Sequence, residues 1–326
     1  MNITATTEGD LGDAVMVAAI LAIRGGSNRM LLSDSTVTKW RTLEIVEKAH
    51  SLLAPLLHGV DGIAEFGIHR SDCTPDWLSQ DFRWRHYRPD QTLFESHVQH
   101  LRSSVPNETH ITWRPWLSVK PDSRFWNKWV VNRSARHRNE LFPWHRLVQS
   151  YGHKMVFIGA PDEHQDFCNS FGHVAYQETP TLLDVARVIA GSQRFVGNQS
   201  SAHCIAASLG HPLLLEVSRQ NPDVCFGGKN ALYCYDGGIP YYSMPRTILP
   251  QHCISKSMVP PGFWQYPGFK PQQAFNQMTI LMSQAGVVDA ANELLRHNTL
   301  RLQIEHPSYI GSTGFSIVQS ALSKIV

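Results

Sequence analysis

Two short loops bring together residue types that can bind an anion and move a proton. The first is Glu8-Gly9-Asp10-Leu11-Gly12-Asp13, between a β-prone run and an apolar helical run. Gly9 and Gly12 permit tight turns, and Asp13 falls at the helix start, where its carboxylate can serve as general base on an acceptor hydroxyl. The competing reading is that Asp13 caps the helix, because Asp is a favoured N-cap residue. The second loop is Gly197-Asn198-Gln199-Ser200-Ser201. It combines a small-residue turn, side-chain donors and a helix N-terminus, which together suit a phosphate. An ordinary capped helix stays open as its alternative, since Ser and Asn also cap.

Both loops need strands and helices to hold them, and the chain supplies these in alternation. Ile3 to Thr7 reads as a strand, Ala14 to Arg24 as a helix, Arg29 to Leu32 as a strand and Thr42 to Leu57 as a helix. A strand near Gly62 to Ile68 and a helix around Thr92 to Ser103 follow. This rhythm predicts βαβ units around a parallel sheet. The stretch from Thr112 to Lys128 interrupts it with Pro115, Pro121, Trp113, Trp116, Phe125 and Trp126, and reads as a packed interdomain linker. The alternation then resumes. Strands are expected at Trp129 to Asn132, Lys154 to Gly159, His173 to Tyr176, Arg194 to Val196 and Pro212 to Val217. Helices are expected at Pro143 to Tyr151, Asp162 to Phe171, Thr181 to Ala190 and Ala202 to Leu209. Asn221 to Gly268 is rich in Gly, Pro and Tyr and reads as loops and short pieces. Helices are expected at Pro271 to Ala285, Val287 to His297 and near Ile317 to Ile325. The resulting expectation is an α/β chain of two doubly wound domains, 1–118 and 119–326, with C-terminal helices.

Composition narrows the function classes. With 326 residues, 42% hydrophobic and 17% charged, the chain has enough apolar material for two cores. A formal net charge of +2 gives no global pull toward nucleic acid or membrane. The 17 His include no HxxxH or HExxH pair, so no metal site is expected. The 6 Cys lack CxxC spacing, which fits a reduced, cytoplasmic protein, and Cys168 and Cys204 fall on expected helices as core residues. The best apolar run, Ala14 to Ile23, is too short to span a bilayer and carries no leader pattern.

Gly12-Asp13 after a first strand, together with Gly197-Asn198-Gln199-Ser200-Ser201 and Ile205-Ala206-Ala207-Ser208-Leu209-Gly210, resembles the heptosyltransferase-like family of GT-B glycosyltransferases. The family's second motif reads G-N-D-T-G-x-x-H-x-A-A-A-L-G. The resemblance implies a GT-B fold, two Rossmann-like domains facing a central cleft, with the acceptor on the first and the sugar donor on the second. It implies Asp13 as catalytic base and a donor diphosphate held by Gly12 and the loop Asn198, Gln199, Ser200 and Ser201. Gln199 stands where the family has Asp, Ser201 where it has Gly and Cys204 where it has His, with His203 one residue early. These departures imply a sugar other than heptose.

Further residues fit the same picture. The family resemblance implies a basic residue against the diphosphate after the first strand of the second domain, where Arg136 and Arg138 stand. Arg can neutralise a leaving diphosphate through bidentate, charge-assisted contacts, although a solvated basic loop is the alternative. Glu216, at a strand end, can accept ribose hydroxyls or be a plain strand-end charge. Gly159 can let a nucleotide base approach the backbone or be a plain turn. On the acceptor side, Asp10 lies in the first loop. Arg83, Arg85 and Arg88, interleaved with Trp84 and Tyr87, suit a phosphorylated glycan or a modified DNA base, or form a solvated loop. The expected activity is metal-independent sugar transfer from a nucleotide diphosphate sugar, a co-substrate rather than a cofactor, onto a glycan or DNA hydroxyl. A nucleotide-sugar epimerase of the same architecture, or a non-catalytic nucleic-acid or glycan binding protein, are the alternatives. The sugar, the base, the stereochemical outcome and the oligomeric state are left open.

Overall fold

The structure, a computed structural model, describes residues 3–7, 10–34, 42–70, 79–81, 93–104, 111–140, 142, 144–218, 224, 231–235 and 239–240. Glu8 and Gly9, the cluster Arg83 to Arg88 and the three expected C-terminal helices lie outside the described residues.

In the first part of the chain, strands β1 (Thr4–Thr7), β2 (Asn28–Ser33), β3 (Ile63–His69) and β4 (Ser79–Asp81) form a parallel sheet in the order β3-β2-β1-β4. Helices α1 (Leu11–Arg24), α2 (Leu43–Leu57) and α3 (Leu93–Ser104) connect or follow these strands. In the second part, β5 (Trp129–Asn132), β6 (Met155–Phe157), β7 (Ala175–Tyr176), β8 (Arg194–Asn198), β9 (Leu213–Glu216), β10 (Ala231–Tyr235) and β11 (Ile239–Pro240) form one sheet. Its order is β11-β10-β9-β8-β5-β6-β7, parallel except at the β10–β11 edge. Its helices are α4 (Trp144–Tyr151), α5 (Pro161–Phe171), α6 (Leu182–Gly191) and α7 (Ser201–Ser208). The expected elements up to β9 are present with small shifts at their ends. Strands β4, β10 and β11 are additions, the last two inside a stretch read from sequence as loops and short pieces.

Side-chain alternation shows why the second sheet is covered on both faces. Along β5, Val130 enters one apolar cluster while Trp129 and Val131 enter another. Along β6, Val156 and its neighbours Met155 and Phe157 divide in the same way, as do Leu213, Leu214 and Leu215 of β9. A period of two sends successive residues to opposite faces, so a strand apolar throughout is buried between two helix layers. Phe167 of α5 and Trp144 of α4 fill one layer, their rings meeting edge to face at 5.0 Å. The residues of α6 and α7 fill the other.

That second layer is shared with the first sheet. Helix α1 packs against α7, and α2 against α6. A single apolar cluster runs from Ile3 and Ala5 of the first sheet through α1, α6 and α7 to Leu215 of the second. Every residue of α1 from Ala14 to Leu21 is buried, which is what a helix enclosed by its own sheet and a neighbouring helix requires. The segment expected as a packed linker laces these layers together. Trp113 meets Phe94 of α3 edge to face at 5.0 Å. The N–H groups of Trp116 and Leu117 both donate to the Ser208 carbonyl at the end of α7, at 3.0 and 3.1 Å. The Asp122 N–H donates to Arg187 O of α6 at 3.0 Å.

Among the described residues no helix is long and apolar enough to cross a membrane. Strands β5 and β8 approach closely at Gly197, where an added Cβ would lie 2.4 Å from the Asn132 carbonyl oxygen. Gly197→Ala is therefore expected to destabilise the protein by about 1–3 kcal/mol through overpacking of the sheet. Urea unfolding of the two proteins checks this, and an unchanged midpoint contradicts it.

Candidate functional site

Ligand sites of open parallel sheets lie beyond the C-terminal strand ends, where connections leave in opposite directions. In the second sheet that point falls between β5 and β8; in the first it falls at β1, flanked by β2 and β4. The loops leaving β1, β5 and β8 meet one another there. A Cβ at Gly12, in the first turn of α1, would lie 3.4 Å from Cys204 Sγ and 3.8 Å from the Ser201 nitrogen that opens α7. Two helix N-termini thus converge. Each carries first-turn N–H groups that have no partner within the helix ladder and the positive end of its dipole.

The β1 loop carries two carboxylates. Asp13 is in the first turn of α1, and its Oδ2 accepts the Asp10 N–H at 3.0 Å. The N-cap residue of α1 is Asp10 rather than Asp13, which stands at the third helical position and supports the helix start by accepting the Asp10 N–H. The second oxygen is not committed to that contact: Oδ1 lies 3.9 Å from Nε2 of His97, a buried residue of α3. Support of the helix start and proton transfer can therefore use different oxygens of one carboxylate. His97 escaped sequence reasoning because nothing in the α3 pattern distinguishes an inward His beside a functional group from a core His. Asp10, expected on the acceptor side, pairs with Arg136 Nη1 at 2.7 Å and so joins the β1 loop to the β5 loop.

The β5 loop, residues 133–139, is held almost residue by residue. Asn198, expected at the donor, is wholly buried and serves this loop instead. Its Oδ1 accepts the Ser134 N–H at 2.9 Å, and its Nδ2 donates to the carbonyls of Ser134 at 3.1 Å and Arg136 at 2.6 Å. Glu163 of α5 accepts the Ala135 N–H at 3.1 Å. His137 adopts φ 55°, a left-handed conformation that non-glycine residues hold only when their surroundings fix it. Arg138 Nη2 pairs with Asp166 at 2.7 Å and its Nε donates to the Ser134 carbonyl at 3.1 Å. Arg136 is the more exposed cation of the two.

The β8 loop behaves as a cap with one spare acceptor. Ser200 Oγ accepts the His203 N–H at 3.2 Å, closing the first turn of α7, and Ser201 begins the helix. Gln199 is half-buried, and its Oε1 is buried with no hydrogen-bond partner among the described residues. Asn132, at the end of β5, leaves its Oδ1 in the same state while its Nδ2 donates to the Ile158 carbonyl at 2.8 Å. An unanswered buried acceptor is costly, and two beside a topological switch point mark positions that a donor-bearing ligand can satisfy. Only Gln199 was singled out from sequence. Gly159 has φ 132°, beyond the reach of most side chains, and its carbonyl accepts the Tyr176 hydroxyl at 2.9 Å.

Two expected donor residues sit elsewhere than the reading from sequence placed them. His203 has no exposed surface; its ring is enclosed on α7, and burial pushes its pKa down from 6.5 to about 3. Glu216 also has no exposed surface, and its oxygens are taken by Arg133, the Asn139 N–H and Trp144 Nε1. Neither side chain has surface open to a nucleotide. Helix periodicity placed His203 on α7 without saying which face would be covered by α1, and the end of β9 is closed by residues distant in sequence.

No family model and no curated protein matches the chain. The solved structures to which it is similar include the Escherichia coli heptosyltransferase WaaC with ADP, at 17% identity over 73% of this chain and 94% of that one, TM-score 0.46. A family 9 glycosyl transferase from Veillonella parvula is similar at 12% identity over 91% of this chain and 97% of that one, TM-score 0.48. The E. coli ADP-heptose lps heptosyltransferase II is similar at 14% identity over 88% and 100%, TM-score 0.41.

The buried histidines make a pH prediction. His203 is neutral in the fold, and His211 is pushed down to about 4, by burial first and then by the Arg194 charge. Unfolding lets both take up protons below pH 6.5. The contribution of these two histidines to stability is therefore constant above that pH and falls on acidification toward pH 4. Each histidine contributes a slope of up to about 1.4 kcal/mol per pH unit. His203→Gln is expected to flatten the fall in unfolding free energy between about pH 6 and pH 4 by one such increment. An unaltered slope contradicts it.

Proposed function

We propose that the chain is a glycosyltransferase that moves a sugar from a nucleotide diphosphate sugar to an acceptor hydroxyl. The observation that carries the reading is the meeting of the β1, β5 and β8 loops. It sets two helix N-termini and Arg136 beside Asp13, an anion site next to a carboxylate. Helix N-termini and arginine together suit a diphosphate, and Gln199 Oε1 and Asn132 Oδ1 offer acceptors to hydroxyl or amine groups of the donor. In this reading the part of the chain to about residue 118 presents the acceptor, and the part from 119 holds the donor.

The step proposed is a direct displacement. Asp13 takes the proton of the acceptor hydroxyl, whose oxygen attacks the anomeric carbon. The bond from that carbon to the diphosphate oxygen breaks, and the nucleotide diphosphate leaves with the electron pair. Arg136 and the helix N-termini neutralise the charge that develops on it. The Asp10–Arg136 pair does not block this role. Both side chains are substantially exposed, and such pairs contribute about 0–1 kcal/mol, which a multiply charged diphosphate can replace.

The test is a steady-state and binding comparison on the nucleotide sugar that the wild-type protein turns over. Asp13→Asn is expected to lower kcat by about 10²–10⁴-fold while donor affinity is kept. Arg136→Ala is expected to weaken nucleotide diphosphate binding by about 10–100-fold, the loss of a charged hydrogen bond. Undiminished turnover by Asp13→Asn contradicts the assignment of the base.

A further inference from the structure

The donor reading depends on the β5 loop keeping one shape, and a buried carboxylate outside the site grips both of its ends. Glu216, the last residue of β9, has no exposed surface. Its Oε1 accepts the Asn139 N–H at 2.6 Å and Arg133 Nη2 at 3.0 Å. Its Oε2 accepts Arg133 Nε at 2.9 Å and Trp144 Nε1 at 2.7 Å. The Arg133 side chain is itself only 4% exposed, with its guanidinium 5.1 Å from the centre of the Phe171 ring. Arg133 opens the loop and Asn139 closes it, so a single carboxylate pins the first residue, the last residue and the helix that follows.

A buried ion pair is a poor device for stability alone, because its desolvation cost rivals its attraction, and apolar residues of similar volume often do as well. An apolar pair cannot, however, hold the Asn139 N–H or tie the two loop ends to one point. Between these ends, Asn198 and Glu163 fix the backbone of residues 134–136. Between the pinned ends the exposed residues are Ala135 and Arg136, followed by the left-handed turn at the partly buried His137.

We infer that Glu216 is a positioning residue: acting through Arg133, Asn139 and Trp144, it locks residues 133–139 into the conformation that presents Arg136. The inference rests on the donor reading for its purpose, but the locking can be measured without any ligand. The central variant is Arg133→Met/Glu216→Leu, which removes both charges at similar volume. It is read by thermal melting, by the rate of trypsin cleavage after Arg136 and Arg138, and by the Kd for ADP, UDP and GDP.

The expected result is a protein that still melts cooperatively, at a temperature lowered by the loss of the acceptor for the Asn139 N–H and Trp144 Nε1. Well below that temperature, cleavage is faster by about tenfold or more and the nucleoside diphosphate Kd is raised by a similar factor. A double variant that melts cooperatively and is cleaved at the wild-type rate overturns the inference and reduces the network to packing. Trp144→Phe keeps the ring and removes one hydrogen bond from Glu216, so it covers the case in which the double variant does not fold. It is expected to give an intermediate cleavage rate, about threefold above wild type, as a local opening made somewhat easier. A folded Trp144→Phe protein cleaved at the wild-type rate overturns the inference as well. If wild type is protected from trypsin and the variants are not, yet no nucleoside diphosphate binds wild type, the locking stands and the donor reading falls.

Discussion

The first turns of α1 and α7 lie close together at Gly12, and the geometry of the site follows from that approach. With a Cβ position 3.8 Å from the Ser201 nitrogen, the first turns of two helices occupy one neighbourhood. The approach is possible because α1 is enclosed along Ala14 to Leu21, with its neighbours α7 and α6 contributing to the same apolar cluster. The hydrophobic layer therefore does more than stabilise two sheets. It fixes the relative positions of the β1 and β8 loops, which no direct hydrogen bond between them has to do. Exchange of Gly12 for a long side chain would open that neighbourhood from within.

The polar part of the site is organised in the opposite manner, by many short contacts to one loop. Residues 133–139 are gripped by Glu216, Asn198 and Glu163, and each of these is fixed at the end of a strand or the start of a helix. Backbone groups that would otherwise need water are answered by side chains, which costs side-chain entropy but leaves a single conformation. Arg136 emerges from that loop to reach Asp10 across to the first sheet. An exposed ion pair contributes little to stability, so its location carries more meaning than its energy. It shows where an anionic group is accommodated beside Arg136.

Much of this was legible from the sequence, and the parts that were not share a cause. Apart from β4, the strands and helices up to β9 announced themselves through alternating periods, and Ser200 through capping chemistry. Local patterns also placed Asp13, Gln199 and the arginines at loop positions after strands. What local patterns do not contain is burial by distant residues. Glu216 reads as a strand-end carboxylate until Arg133 and Trp144 close over it, and His203 falls on an expected helix whose periodicity does not say that its ring is wholly buried. His97 comes to Asp13 from another helix, and β4 is three residues that no periodicity singles out. One Asp13 carboxylate oxygen accepts the Asp10 N–H at the helix start while the other lies toward His97, a neighbour that its sequence context does not announce.

The central claim is that the converging helix ends and Arg136 form a diphosphate site. A thermal-shift titration of the wild-type protein with ADP, UDP, GDP and their sugar conjugates tests it most directly. The account predicts that at least one nucleotide raises the melting temperature in a saturable way, as ligand binding to the folded state requires, and that added salt weakens the effect. If none shifts it at concentrations of about 1–5 mM, where even a ligand with a Kd near 1 mM stabilises measurably, the site does not bind a nucleotide diphosphate.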